Sequence, residues 1–128
     1  MKIALIEDEA DCYENYQVLL EERGHDVNVY SDADAVVNDI NSICKSDVII
    51  LDLMIQLGTK IQPDEASETG TAIYKRIRKI APKSRIVILT ARSRGDIWED
   101  FENDNLVRYL GKPVSDLEKF YKTILEWN

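Results

Sequence analysis

Five side chains of this sequence are of the types that together handle phosphate: the carboxylates Glu7, Asp8 and Asp52, the hydroxyl of Thr90 and the amine of Lys112. Each stands at or just past the C-terminal end of a short aliphatic run, at residues 3–6, 48–53, 85–90 and 106–110. Runs of that kind, when they are parallel strands of one sheet, bring their carboxyl ends to a common edge where ligands bind. Three carboxylates clustered there repel strongly in a partly desolvated pocket. A hard, oxygen-seeking divalent cation relieves the repulsion, and Mg2+ is the usual choice where phosphate is handled. One Mg2+ together with Lys112 balances three carboxylates, and Thr90 adds a donor without charge. The set suits a phosphoryl group seated on one carboxylate, with cation, ammonium and hydroxyl each taking one of its oxygens.

The elements that must position these groups are legible as alternating strand and helix patterns, the signature of an α/β sheet. Residues 3–6 read as a buried strand, and 11–23 as a helix with Cys12, Tyr16, Leu19 and Leu20 on one face. Gly24 follows where a helix end favours a left-handed residue. Residues 26–30 alternate polar and apolar, as a strand nearer the sheet edge does. Ser31 or Asp32 then caps a helix whose stripe is Ala33, Val36, Val37, Ile40, Ile43 and Cys44. The most apolar strand, 48–53, carries Asp52 near its end, and a long loop runs to about Thr69. After Gly70 a helix places Ile73, Ile77 and Ile80 on one face and stops at Pro82, its basic residues biased toward its negative end. Residues 85–90 form a fourth strand, and a short acidic helix spans about 96–102 with Ile97 and Phe101 paired. Trp98 and Phe101 suit either an exposed partner-binding patch or core packing. Residues 106–110 form a fifth strand, and Ser115 with Glu118 makes a capping box. The last helix turns Leu117, Phe120, Tyr121, Ile124 and Leu125 inward. Five βα units imply a doubly wound, five-stranded parallel sheet flanked by five helices.

At 128 residues the chain has room for one domain, taken as 1–128. Its net charge of −8 disfavours phosphate backbones, so no direct nucleic-acid binding is expected. The longest aliphatic runs are too short to cross a membrane, and an acid arrives too early for a signal peptide. A cytoplasmic protein is expected. Cys12 and Cys44 form no disulfide framework and have no metal spacing. No Gly-rich loop follows the first strand, so no nucleotide site is expected.

The order Glu7-Asp8, then Asp52 after Val48-Ile-Ile-Leu, then Thr90-Ala91, then Lys112-Pro113 resembles the receiver domain of two-component response regulators. Asp52 lies 44 residues after Asp8, and Lys112 22 after Thr90, as in that family. The likeness spans essentially the whole chain, Arg23-Gly24-His25-Asp26-Val27 included. It implies a flavodoxin-like sheet of strand order 2-1-3-4-5. It also implies that Asp52 is a nucleophile, taking a phosphoryl group from the phosphohistidine of a sensor histidine kinase or phosphotransfer protein. Asp8 with Glu7 would hold Mg2+, helped by Asp52 and the backbone carbonyl of Met54. Thr90 and Lys112 would bind the phosphoryl group. Thr90 and Tyr109 would act as the switch, biasing a surface made by the fourth helix, fifth strand and last helix toward a downstream output protein or domain. A homodimer through that surface belongs to the same implication. Such a module phosphorylates and dephosphorylates itself but turns over no free substrate, so it is no enzyme in the ordinary sense.

Two departures from the family pattern stand out. Residues 53–56 lack the usual Met-Pro, and the candidate glycine, Gly70, comes 18 residues after Asp52 rather than about eight. A loop of residues 55–69 is therefore extended, either as a tolerated surface excursion or as an element that shapes access to Asp52 or selects the kinase. Met54 and Arg92, each two residues beyond an active group, flank the expected path of a hydrolytic water. Met54 cannot orient water, and Arg92 would hold the phosphoryl group or block approach, so slow self-dephosphorylation is expected. Two other readings are a degenerate, phosphorylation-independent interaction module and a small Mg2+-dependent phosphohydrolase. The intact Asp8, Asp52, Thr90 and Lys112 speak against the first. The lack of a second acid–base carboxylate near Asp52 speaks against the second. Whether the chain is a stand-alone regulator, a relay intermediate or part of a longer protein is open at this point.

Overall fold

The computed structural model describes residues 1–66 and 68–127. Ser67, inside the expected loop, and Asn128, the last residue of the expected domain, lie outside the described residues. Five strands, β1 (Lys2–Ile6), β2 (Asp26–Tyr30), β3 (Val48–Leu51), β4 (Arg85–Thr90) and β5 (Val107–Gly111), form one sheet of order β2-β1-β3-β4-β5. All four pairings are parallel. Ile6 pairs with Leu51, Leu51 with Ile88, and Thr90 with Gly111. That register brings the residues just beyond β1, β3 and β5, and the last residue of β4, to one edge.

Helices cover both faces because successive strand residues point to opposite sides. Ile3, Leu5, Val48, Ile50, Val87 and Leu89 pack with Tyr16 and Leu20 of α1 (Ala10–Glu22) and with Phe120 and Ile124 of α6 (Leu117–Leu125). Ala4, Ile6, Ile49, Leu51, Ile86 and Ile88 turn to the opposite face. There they meet α2 (Ala33–Asn38), α3 (Ile40–Cys44), α4 (Thr69–Ile80) and α5 (Arg94–Ile97). Every residue of β3 is fully buried, each contributing roughly 1.5–3 kcal/mol of burial free energy. Gly24 takes the left-handed φ of 87° expected at the end of α1. Among the described residues no helix is long and apolar enough to cross a membrane.

Several elements differ from the sequence expectation. The second helix breaks at Asp39, giving α2 and α3 and hence, among the described residues, six α-helices rather than five; the stripe survives, with Ala33, Val36 and Ile43 buried. The break falls after Val37-Asn38-Asp39, all poor helix formers, and Asp39 accepts instead from Tyr30 Oη at 2.6 Å. β3 ends at Leu51, so Asp52 sits just beyond the ladder. The acidic helix starts two residues earlier than expected, as α5, and passes into a 3-10 turn at Trp98–Asp100 rather than continuing to Glu102. Glu99, Asp100 and Glu102 would crowd the negative end of a longer helix. Phe101 is core, and Trp98 packs beside it. Asp116, not Ser115, caps α6, accepting from the Lys119 N–H at 3.1 Å. Ile80 and Leu117, expected inward, are exposed.

Among its described residues the connection between β3 and α4 has neither helix nor strand, yet it is anchored. Ile55 and Ile61 are buried. The Asp34 carboxylate of α2 accepts from the N–H groups of Thr59 and Lys60, both at 2.9 Å. Gly58, at φ 68°, lies so close that a Cβ would stand 2.5 Å from Asp34 Oδ1. On the other side Glu65 pairs with Arg76 of α4 at 2.9 Å. The connection's two ends are tied together at the start of α4, where the Gly70 N–H donates to the Leu53 carbonyl at 2.9 Å.

Candidate functional site

Asp52, Glu7 and Lys112 meet at the sheet edge because β3, β1 and β5 end there. Lys112 Nζ donates to Asp52 Oδ2 at 2.8 Å and also pairs with Glu7 Oε1. Asp52 Oδ1 accepts from the Met54 N–H at 3.1 Å. Glu7 and Asp52 are 2 % and 5 % exposed, unusual for carboxylates and tolerable only with a charged partner. Burial pushes the Glu7 carboxyl well above the usual range, and neighbouring Asp52 adds to it. Burial and the Asp52 charge also raise Asp8. Burial acts upward on Asp52 too, but hydrogen bonding with Lys112, Glu7 and the Met54 N–H prevails and holds it below the ordinary value. Against the cost of burial, Asp52 and Glu7 hold the Lys112 ammonium above its usual range. The pocket therefore presents an ionised Asp52 beside a fixed positive charge.

Glu7, Asp8 and Asp52 each offer a carboxylate oxygen, all within 4.8 Å of one another. Oxygens around one Mg2+ at roughly 2.1 Å stand up to about 4.2 Å apart, so this hard donor set suits such a cation after a small contraction. Met54 stands beside Asp52 through its N–H, with its side chain exposed. Thr90 is fully buried, and its hydroxyl accepts from the Arg92 N–H at 3.3 Å rather than meeting Asp52. Tyr109 is half-buried against the α4 side of the sheet. The structure thus joins Glu7, Asp52, Lys112 and Met54 by hydrogen bonds, sets Asp8 among the carboxylates, and keeps Thr90 and Tyr109 one step away, each bonded to Arg92.

Two features escape the linear sequence. Arg92 pairs with Glu68, the residue preceding α4, rather than lying free over the pocket. Neither periodicity nor spacing relates two loop residues so far apart. A groove of about 900 Å3 also opens on Asp52 and Lys112 between α1 and the start of α6, with the exposed side chains of Val18, Met54 and Leu117 on its walls. Leu117, which periodicity places inward, gave no signal of it in the sequence.

The family model described as the response regulator receiver domain matches residues 3–124. The chain belongs to that family, whose members accept a phosphoryl group in two-component signalling. Among solved structures it is similar to a response regulator receiver domain protein from Clostridium thermocellum, at 30% identity and TM-score 0.70, covering 89% of this chain and 83% of that one. A Francisella response regulator receiver domain matches at 25% identity and TM-score 0.71, covering 95% and 92%. A two-component response regulator from Clostridium difficile shares the fold at TM-score 0.75 and 24% identity, covering 94% and 89%. No curated protein matches significantly.

Proposed function

We propose that Asp52 is the phosphoryl acceptor of this receiver domain, with Lys112 and Thr90 serving the phosphoryl group and Glu7, Asp8, Asp52 and the Met54 backbone holding Mg2+. The observation that carries this is the contact of Lys112 Nζ with Asp52 Oδ2 at 2.8 Å in a carboxylate cluster at the sheet edge. In the transfer, an Asp52 oxygen bonds to the phosphorus of a partner's phosphohistidine. The P–N bond breaks, its electron pair returns to the imidazole, and the ring takes up a proton. Lys112 orients the nucleophilic carboxylate and meets the arriving negative charge. A divalent cation held by Glu7, Asp8, Asp52 and the Met54 carbonyl would supply charge neutralisation for the transferring group. The Thr90 hydroxyl, now held by the Arg92 N–H, is the neutral donor nearest the site from β4. Its movement toward the phosphoryl group and that of Tyr109 would carry the signal to α5, β5 and α6.

The apolar-walled groove beside Asp52 supports docking of a histidine kinase or phosphotransfer protein, since an amphipathic helix seats its apolar face in such a groove. Output passes to a separate protein, to an attached domain or through a dimer. In the NtrX structure from Brucella abortus, the matching part is 24% of a longer chain, at 21% identity. The domain works in the cytoplasm and turns over only its own phosphoryl group.

The test is intact-mass spectrometry after incubation with an acyl-phosphate donor, with and without Mg2+, on wild type and Asp52→Asn. One phosphoryl adduct that needs both Mg2+ and Asp52 is expected. An adduct that survives in Asp52→Asn would overturn the assignment.

A further inference from the structure

Arg92 is tied in three directions. Its N–H donates to Thr90 Oγ1 at 3.3 Å, its carbonyl accepts from Tyr109 Oη at 2.7 Å, and its guanidinium pairs with Glu68. Glu68 closes the β3–α4 connection and lines a recess shared by Asp8, Met54 and Arg92, at the mouth of the Asp52 pocket. The two partners are unequal: the Glu68 side chain is 17% exposed and that of Arg92 40%. Among the described residues, the second Glu68 oxygen, Oε2, is buried with no hydrogen-bond partner. A largely buried carboxylate, one oxygen of which already lacks a partner, is destabilised when it loses its counter-charge, whereas a half-exposed guanidinium that loses its partner is simply solvated or finds another anion.

On the reading that Asp52 carries a phosphoryl group, we infer that Glu68 is a positioning residue that shortens the life of the phosphorylated state by retaining Arg92 at the rim. A phosphoryl group on Asp52 is a second anion competing for the same guanidinium. Glu68 wins that competition because leaving it unpaired is costly, so the recess between Met54 and Arg92 stays open to water. In hydrolysis the water oxygen bonds to phosphorus and the bond from phosphorus to the Asp52 oxygen breaks. Its electrons return to the carboxylate, and the water's protons leave with inorganic phosphate and solvent. With Glu68 neutralised, Arg92 transfers to the phosphoryl oxygens, crosses the recess and obstructs that attack. This assigns a task to the connection that its length alone does not reveal: it delivers the acid that controls Arg92.

The experiment loads the full chain with an acyl-phosphate donor and Mg2+, removes the donor, and follows the adduct by intact mass. It uses wild type, Glu68→Gln, Arg92→Gln and the double variant, each checked for folding by circular dichroism. Glu68→Gln should lengthen the half-life at least threefold, and Glu68→Gln/Arg92→Gln should match Arg92→Gln alone. Arg92→Lys, which keeps the charge, should preserve part of the Glu68→Gln effect. An unchanged or shorter half-life in Glu68→Gln, or a lengthening that persists without Arg92, overturns the proposal. Folded wild type that forms no adduct overturns the acceptor reading and this inference with it, an outcome distinct from an adduct whose lifetime ignores Glu68.

Discussion

The Tyr109 hydroxyl donates to the Arg92 carbonyl at 2.7 Å, so a side chain of β5 holds the backbone that follows β4. Arg92 in turn donates its N–H to Thr90 Oγ1, which strings Thr90, Arg92 and Tyr109 into one chain of contacts. A shift of the Thr90 hydroxyl toward Asp52 must therefore give up or drag the peptide to which Tyr109 is fastened. Removing the phenol oxygen cuts that link while leaving the ring. Tyr109→Phe should lose about 1 kcal/mol of stability, read as a lower urea midpoint at unchanged slope. Amide exchange at residues 91–93 should quicken roughly fivefold, the same quantity expressed locally. Unchanged exchange there would mean that the phenol does not restrain the loop.

Gly70 offers a sharper steric test. A Cβ at this position would lie 2.3 Å from the Leu53 Cα and 2.5 Å from the Asp52 carbonyl oxygen, both backbone atoms that cannot swing aside. Gly70→Ala must push the start of α4 away from the end of β3, at a cost of roughly 1–3 kcal/mol or more. The displaced backbone is that of Asp52 itself, so the variant should also accept phosphate more slowly from an acyl-phosphate donor. Thermal unfolding and adduct formation, measured on the same preparation, should fall together.

Away from the pocket, Asp104 accepts from Arg78 Nε and Tyr74 Oη, each at 2.6 Å, and from the Leu106 N–H at 3.0 Å. Burial pushes its carboxyl upward, but these donors prevail and hold it below the ordinary carboxylate value. A carboxyl lowered on folding stabilises fully above its unfolded pKa of about 3.9 and ceases to do so as pH falls through the folded value. Asp104→Ala should cost roughly 1.5–3 kcal/mol at pH 7. The difference from wild type should shrink as denaturation is followed below about pH 4. A gap that stays constant to pH 2 would assign the loss to packing instead.

Much of this molecule was legible in its sequence for a simple reason. β4 coincides with its expected run because a strand buried on both faces of a parallel sheet is short, aliphatic and bounded by turn residues, and β2 with its own because an edge strand alternates polar and apolar residues. Glu7, Asp52 and Lys112 were recoverable because each is fixed by its place at a strand end. What stayed hidden depended on competition between neighbours. The helix under a continuous apolar stripe is interrupted at Asp39, whose side chain has a partner in Tyr30. Asp116 displaces Ser115 as a cap, a choice one residue wide. Ile80 and Leu117 carry the right periodicity, yet each stands at an end of its helix where nothing covers it. Glu68 and Arg92 belong to two loops, where no period links one residue to another.

The fastening of the β3–α4 connection to Asp34 and Arg76 decides how another protein would experience this side of the pocket. A slack connection of this length would have to be immobilised by whatever touched it, at about 0.5–1.5 kcal/mol for each side chain frozen. Here the anchored residues Thr59, Lys60 and Glu65 have that ordering completed when the chain folds. A partner that approached this side would meet a preset relief beside Asp52 and would dock on it as one rigid body against another. Selectivity on this flank then follows from shape and charge already in place, and substitutions on the relief tell in how long the complex lasts more than in how fast it forms.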